Sequence, residues 1–303
     1  MAYETGIATS PSNLLSILEA FAVGEGWTVN TPASGRVFIN GDVRVGVGVA
    51  NTTELNLKGC LGYSSGAAYD AQPNAAVPRV RVNLGAGPYT AYHLFSGTEL
   101  GASYIHCVVE ISTNIFRHLT FGSLVKNGTF TGGTYIGGVW WDTGGFNVSN
   151  NPWHSNHSVI CDCDTSQSGG NTAANDHVWA DFDSKANNWV PIANSLADTF
   201  GNGSMRAGGM SQHIPSLGYA RWNLRNILIP LHYHVNRAGS QRSRIGRIPD
   251  MRGLGLHNLT PGEEFTVGSD TWKAFPIAAR HATGQAAGVT SSGTLGYAYK
   301  KTV

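Results

Sequence analysis

Three features of the sequence predict a mainly β protein, an antiparallel β-sandwich or meander with one N-terminal amphipathic helix and long polar loops. The stretch Tyr104 to Trp141, YIHCVVEISTNIFRHLTFGSLVKNGTFTGGTYIGGVWW, is dense in β-branched and aromatic residues punctuated by turn signals. Only 13% of residues are Asp, Glu, Lys or Arg, about half the usual roughly 25%. A single strong helix signature stands near the start.

That helix begins at Ser10-Pro11, where Ser caps free amides and Pro occupies the position whose missing N–H costs nothing. Leu14, Leu15, Leu18, Phe21 and Ala22 recur at helical spacing, and Gly24 with Gly26 ends the run. The apolar face, with Leu14, Leu18 and Phe21 at its centre, is a docking surface for the chain's own sheet or for a neighbouring subunit. SGRVFINGDVRVGVGV then reads as a hairpin turning at Asn40-Gly41. LNLKGCLGYSS, a Gly/Ala/Pro-rich loop GAAYDAQPNAAVPR, the strand VRVNL and PYTAYHLFS lead into the central meander.

In that meander Tyr104, His106, Val108 and Glu110 fall on one face of an extended chain, and Ile105, Cys107, Val109 and Ile111 on the other. The second set is apolar, which predicts a half-buried strand. A break at Ser112 to Asn114 precedes IFRHLTFG, and Asn127-Gly128 offers a two-residue turn before TFTGGTYIGGVWW. Glycines this frequent in a strand mark a bulge, a bend or a second backbone approaching closely. From Phe146 to Ser216, Asn, Ser, Gly and Asp dominate in the manner of exposed recognition loops. Apolar segments return in WNLRNILIPLHYHV, LTPGEEFTVGSDTWKAFPIAARH and TLGYAYKK. The organisation expected is a β domain with the N-terminal helix over 1–145, a loop-rich insertion or subdomain over 146–220, and C-terminal strands over 221–303 that complete the fold, the whole also being readable as one continuous domain.

Several clusters carry candidate chemistry. His154, His157, Cys161 and Cys163 form H-x2-H-x3-C-x-C, residue types that favour zinc, although the spacing departs from the common patterns and a C-x-C pair on a strand faces two ways. The alternative is a polar loop entering a buried strand. His232 and His234 would share one strand face and offer a metal edge. The pairs Asp162/Asp164 and Asp181/Asp183 suit calcium or the paired carboxylates of a glycosidase. No phosphate loop, dinucleotide fingerprint, G-x-S-x-G or H-E-x-x-H occurs, and the expectation is a protein without catalysis or a required cofactor. Arg221, Arg225, Arg237, Arg242, Arg244, Arg247 and Arg252 lie in one stretch against a single carboxylate, Asp250. Without interleaved stacking aromatics this favours a protein interface over a nucleic-acid groove.

Net charge is +1, so self-repulsion does little to separate copies, and a polar, weakly charged surface suits coverage by neighbours. Cys60, Cys107, Cys161 and Cys163 are too few and scattered for a disulfide framework. MAYETGIATS has neither the basic nor the apolar region of a signal peptide, and no apolar run approaches the roughly 20 residues of a membrane helix. Synthesis in a reducing cytoplasm is expected.

Four passages, YETGIATSPSNLLSILEAFAVGEGWTVN, GYSSGAAYDAQP, YIHCVVEISTNIFRHLTFGSLVKNGTFTGGTYIGG, and DTWKAFPIAARH with SGTLGYAYKK, give the chain a likeness in which it resembles virion structural proteins of tailed bacteriophages, those of the tail tip or baseplate. The likeness follows a loose pattern and leaves Phe146 to Arg252 uncovered. It implies a non-enzymatic subunit present in several copies around a symmetric axis, made in the host cytoplasm and carried in the virion tail with other tail and baseplate proteins as partners. The rivals are a receptor- or glycan-binding tail protein using Trp153, Trp179, Trp189 and the aspartates of the middle loops for host attachment, and a cell-envelope hydrolase using Asp162, Asp164, Asp181 or Asp183.

Overall fold

A computed structural model of the chain describes residues 2–75, 79–138, 157–158, 161–162, 177–181, 189–191, 205–207, 228–237, 241–256, 258–277 and 295–301. Strand β1 (Ala2–Gly6) precedes helix α1 (Pro11–Gly24), and β2 (Thr28–Asn30), β3 (Arg36–Asn40), β4 (Val43–Ala50), β5 (Glu54–Gly59) and β6 (Val80–Asn83) follow. Then come β7 (Ala91–Glu99), β8 (Ala102–Ser112), β9 (Ile115–Ser123), β10 (Val125–Lys126) and β11 (Thr131–Gly138). Short strands β12 (His157–Ser158), β13 (Cys161–Asp162), β14 (His177–Asp181), β15 (Trp189–Pro191) and β16 (Met205–Ala207) lead to β17 (Ile229–Arg237), β18 (Gln241–Gly255), β19 (Glu264–Val267), β20 (Asp270–Pro276) and β21 (Leu295–Lys301).

The strands build three sheets. One runs β2-β3-β4-β5-β6, a second runs β1-β7-β8-β9-β11 with β12 to β15 beyond β11, and a third runs β16-β17-β18-β21-β20-β19. Among the described residues pairing is antiparallel apart from the β11–β13 contact and an isolated bridge, Ser34 to Ala68. The mainly β, antiparallel architecture expected from the sequence is therefore present, with α1 the one helix among the described residues. Among the described residues the insertion strands form no sheet of their own. β12 to β15 lengthen the second sheet and β16 the third.

Helix α1 forms for the reasons its sequence announces. Ser10 Oγ accepts from the Asn13 amide at 3.2 Å, and Asn13 Oδ1 accepts from the Thr9 amide at 3.0 Å, so two free donors are satisfied reciprocally. At the other end Trp27 N donates to Ala22 O and Gly26 N to Val23 O, with Gly26 at φ +80°, the left-handed stop that glycine takes without strain. Leu14, Leu15, Leu18, Phe21 and Ala22 are buried against Phe38, Val45 and Val47 of the first sheet and Leu94 and Ile105 of the second. Of the two partners the sequence offered this helix, the structure supplies the chain's own sheets. Leu14 and Leu18, at 1% and 0% exposed, and the buried Phe21 are core residues, which corrects the expectation that they form an intermolecular interface.

The hairpin β3–β4 pairs Asn40 with Val43, so its two loop residues are Gly41 and Asp42, with Gly41 at φ +56°. The turn falls one residue later than the Asn-Gly signal indicates. Asn127-Gly128 likewise does not close a simple hairpin. The chain leaves the second sheet after β9, pairs Val125 and Lys126 with Arg247 and Gly246 of the third as β10, and returns as β11 beside β9.

The second sheet lies between the other two. Ile105, Cys107, Val109, Leu119, Phe121 and Ile136 face the first sheet in one continuous apolar core, each large side chain contributing roughly 1.5–3 kcal/mol by leaving water. Close approach here depends on Gly138, because a β-carbon there would fall 2.5 Å from Val82 Cγ2 and 2.9 Å from Val80 Cγ1. The opposite faces of β8 and β9, including Tyr104, His106, Val108, His118 and Thr120, are buried too. A half-buried strand was expected, and β8 is instead covered on both sides because its polar-looking face meets the third sheet.

We predict that Gly138→Val, which overpacks this junction, lowers unfolding free energy by about 1–3 kcal/mol in chemical denaturation. Gly66→Ala, where no atom lies within 4 Å of the added carbon, shifts it by no more than about 0.5 kcal/mol. Equal effects at the two positions would show that the close sheet contact is not what Gly138 serves.

Candidate functional site

The seam between the second and third sheets is built from tyrosines and histidines where an ordinary sandwich has aliphatic residues. Strand alternation places Tyr104 and His106 of β8 and His118 and Thr120 of β9 on one face, and register sets His106 opposite Thr120. His106 Nε2 lies 2.9 Å from Pro249 O and its Nδ1 2.6 Å from Thr120 Oγ1. His118 repeats the arrangement with Nε2 2.8 Å from Pro276 O and Nδ1 2.6 Å from Tyr299 Oη. A carbonyl can only accept, so each Nε2 carries the proton and each Nδ1 accepts from a hydroxyl. Both imidazoles are thus neutral bridges from the second sheet to main-chain carbonyls of the third.

Rings fill the space between these bridges. Tyr104 stacks on His106 with centroids 4.4 Å apart, Phe95 stacks on Tyr299 at 5.1 Å, and Phe275 packs against His93 at 4.8 Å and Phe116 at 5.7 Å. Burial lowers the pKa of His106 to about 3 and of His118 to about 4, with Arg252 and Arg117 respectively adding to the effect. The same loss of water raises the Tyr104, Tyr135 and Tyr299 phenols. His93, at the margin, hydrogen-bonds Tyr3 Oη and Thr5 Oγ1 through Nδ1 and is lowered to about 4, chiefly by burial and then by Lys273.

An ionic cluster closes one end of the seam. Glu99 Oε1 accepts from Arg247 at 2.8 Å and Arg252 at 3.2 Å, while its Oε2 accepts from the Asp250 amide at 2.7 Å. Asp250 is buried, has φ +43°, and accepts from Tyr104 Oη at 3.0 Å. Its carboxyl is raised above the usual range by burial first and by Glu99 second. Arg252 also lies over the Trp272 ring at 5.3 Å. Two of the seven arginines expected at an interface are therefore spent inside the chain, and the counter-charge is not the nearby Asp250 but Glu99, 148 positions before Arg247.

Arg244 is exposed. Arg237 and Arg242 stand opposite Gln241 and Asn236 at the β17–β18 turn, while Arg221 and Arg225 lie outside the described residues. Of the four zinc candidates, His154 and Cys163 also lie outside them, and His157 and Cys161 fall on the paired strands β12 and β13, opposite Asp162 and Ser158. Asp181 stands opposite Thr131 of β11, and Asp164 and Asp183 lie outside. His232 and His234 stand opposite Arg247 and Arg244 in the β17–β18 pairing, which skips Ile245 of β18 between Tyr233 and His234. Among the described residues no three of His, Cys, Asp and Glu are gathered in a way that would hold a metal ion, and no helix is long and apolar enough to cross a membrane.

The seam had a signal in the sequence that charge-based reading passes over. Tyr104-x-His106, His118-x-Thr120 and Tyr297-x-Tyr299 each alternate with apolar residues, and a water-facing strand would carry Lys, Glu or Ser in such places more readily than paired rings. No protein-family model matches the chain, and comparison with curated proteins gives no match.

Two outcomes follow. Because the folded histidines titrate below the unfolded value of about 6.5, their stabilisation is complete above that pH and is lost as pH falls through about 4 for His118 and about 3 for His106. Asp250, raised on folding, acts in the opposite sense and offsets part of the loss. Denaturant midpoints between pH 7 and 4 should fall steeply for the natural chain and less so for His106→Gln with His118→Gln; an unchanged slope would assign the acid sensitivity elsewhere. Separately, Glu99→Gln removes the carboxylate shared by two part-buried guanidiniums and should cost about 1–3 kcal/mol, against no more than about 0.5 kcal/mol for Arg244→Ala, both read by thermal unfolding.

Proposed function

We propose that the protein is a non-enzymatic structural subunit of a tailed-phage tail tip or baseplate, working in several copies against other virion proteins. The observation that carries this reading is how the few charges are used. Arg36 pairs with Glu19, Arg81 with Glu54, Lys300 with Asp270, Glu264 with Lys273 and Lys301, and Glu99 with two arginines. Together with a net charge of +1, such pairing within the chain would do little to hold neighbouring subunits apart. The layered sheets would form the body of such a subunit. Its location would then be the virion tail after synthesis in the host cytoplasm.

The receptor- or glycan-binding alternative draws on one placement. Trp179 and Trp189 are cross-strand partners in the β14–β15 hairpin, which extends the second sheet beyond β11; Trp153 lies outside the described residues.

Mass spectrometry of purified particles of the encoding virus should find the chain at a fixed ratio to other tail proteins, and washing at high salt should not remove it. Absence from the particles would end the structural reading. Saturable binding of the isolated protein to host envelope or polysaccharide, reduced by Trp179→Ala or Trp189→Ala, would move the assignment to attachment.

A further inference from the structure

Arg244 and Arg247 are three residues apart on β18, a spacing that an uninterrupted strand would divide between its two faces. The pairing with β17 skips Ile245, so β18 carries one more residue than its partner at this point. His232 and His234 alternate regularly on β17 and stand opposite Arg247 and Arg244. Residues directly opposite in an antiparallel ladder share a face, so the bulge brings both arginines to the same one. Farther along that face Asn236 stands opposite Arg242, and across β17 Arg206 of β16 stands opposite His234. Arg206, His234 and Arg244 thus form one row over three strands, flanked on β18 by Arg242 and Arg247.

The bulge is gripped from the other edge of β18. Asn127 donates its amide to Ile245 O at 2.8 Å and its Nδ2 to Arg244 O at 3.2 Å, and β10 comes so close that a β-carbon on Gly246 would fall 2.7 Å from Val125 O. Ile245 is buried and Arg244 exposed. A backbone fixed in this way is set before a partner arrives. Among the described residues the carboxylate paired with this face is Glu99, which Arg247 shares with Arg252, so one positive charge is left over even there. In a chain of net charge +1, four arginines on one face make a local positive field.

We propose that this face of the third sheet binds an extended acidic segment of another polypeptide, one with carboxylates at alternate positions. Arg242 and Arg244 are two residues apart, about 7 Å along a strand, and alternate side chains of an extended partner repeat at the same interval. The planar fork of arginine takes a carboxylate in two parallel hydrogen bonds. None of the positions in the row or beside it is Phe, Tyr or Trp, on which nucleobases would stack, and this favours a polypeptide over a single-stranded nucleic acid. The face would bind such a segment whether or not the protein serves in a virus particle.

Fluorescence anisotropy with the full chain tests the idea against three labelled probes: a peptide alternating Glu with Thr, a peptide of the same composition with its glutamates in one block, and an oligothymidylate. The alternating peptide should bind at least about threefold more tightly than either of the others, with an affinity that falls as salt rises. Arg244→Glu and Arg206→Glu should each weaken that binding by about tenfold or more, whereas Arg79→Glu, the same charge change at an exposed position before β6, should leave it within about twofold. Equal binding of the two peptides by the natural chain overturns the proposal. So does tighter binding of the oligonucleotide, which would assign the face to polyphosphates, and so does unchanged affinity in both Arg244→Glu and Arg206→Glu, which would place the peptide elsewhere.

Discussion

The constraint on which the rest of the structure depends is that the second sheet is buried on both faces, with unlike chemistry on each. Toward the first sheet and α1 it offers Ile105, Cys107, Val109, Leu119 and Phe121, held by non-directional apolar burial. Toward the third it offers Tyr104, His106, His118 and Thr120, held by hydrogen bonds whose geometry fixes position. Sliding by one residue would exchange the two faces and place imidazoles in the aliphatic core. The alternation therefore fixes the register of the second sheet, and with it the placing of the other two.

The third sheet is attached by directional bonds and ionic contacts gathered on a few residues. Pro249 and Pro276 supply carbonyls to the histidines, and Asp250 between them joins Tyr104 to the Glu99 cluster. A buried polar network of this kind is costly if any member loses its partner. That cost makes the seam a precise joint, and it explains why the buried His106 and His118 stay neutral near pH 7.

How much of this could be read from the sequence depended on how local the cause was. The α1 boundaries were legible because capping at Ser10, the leucine spacing and the Gly26 stop all lie within seventeen residues. The meander and the apolar face of β8 were legible from period-two alternation. The burial of the other face was not, because it depends on β18 and β21, more than a hundred residues later. The arginine stretch was visible as composition, but Glu99 could not be matched to Arg247 and Arg252 without the fold. The left-handed φ of Leu100, +49°, was hidden for a related reason. Leu-Gly is a weaker turn signal than Asn-Gly, and only the pairing of Glu99 with Ala102 reveals which residues the turn occupies.

The place of β21 between β18 and β20 bears on how the molecule is made. The covering layer cannot close until Leu295–Lys301 has left the ribosome, long after the central strands have emerged. Through that delay a surface of imidazoles and phenols can remain hydrated, whereas a greasy one would recruit other nascent chains.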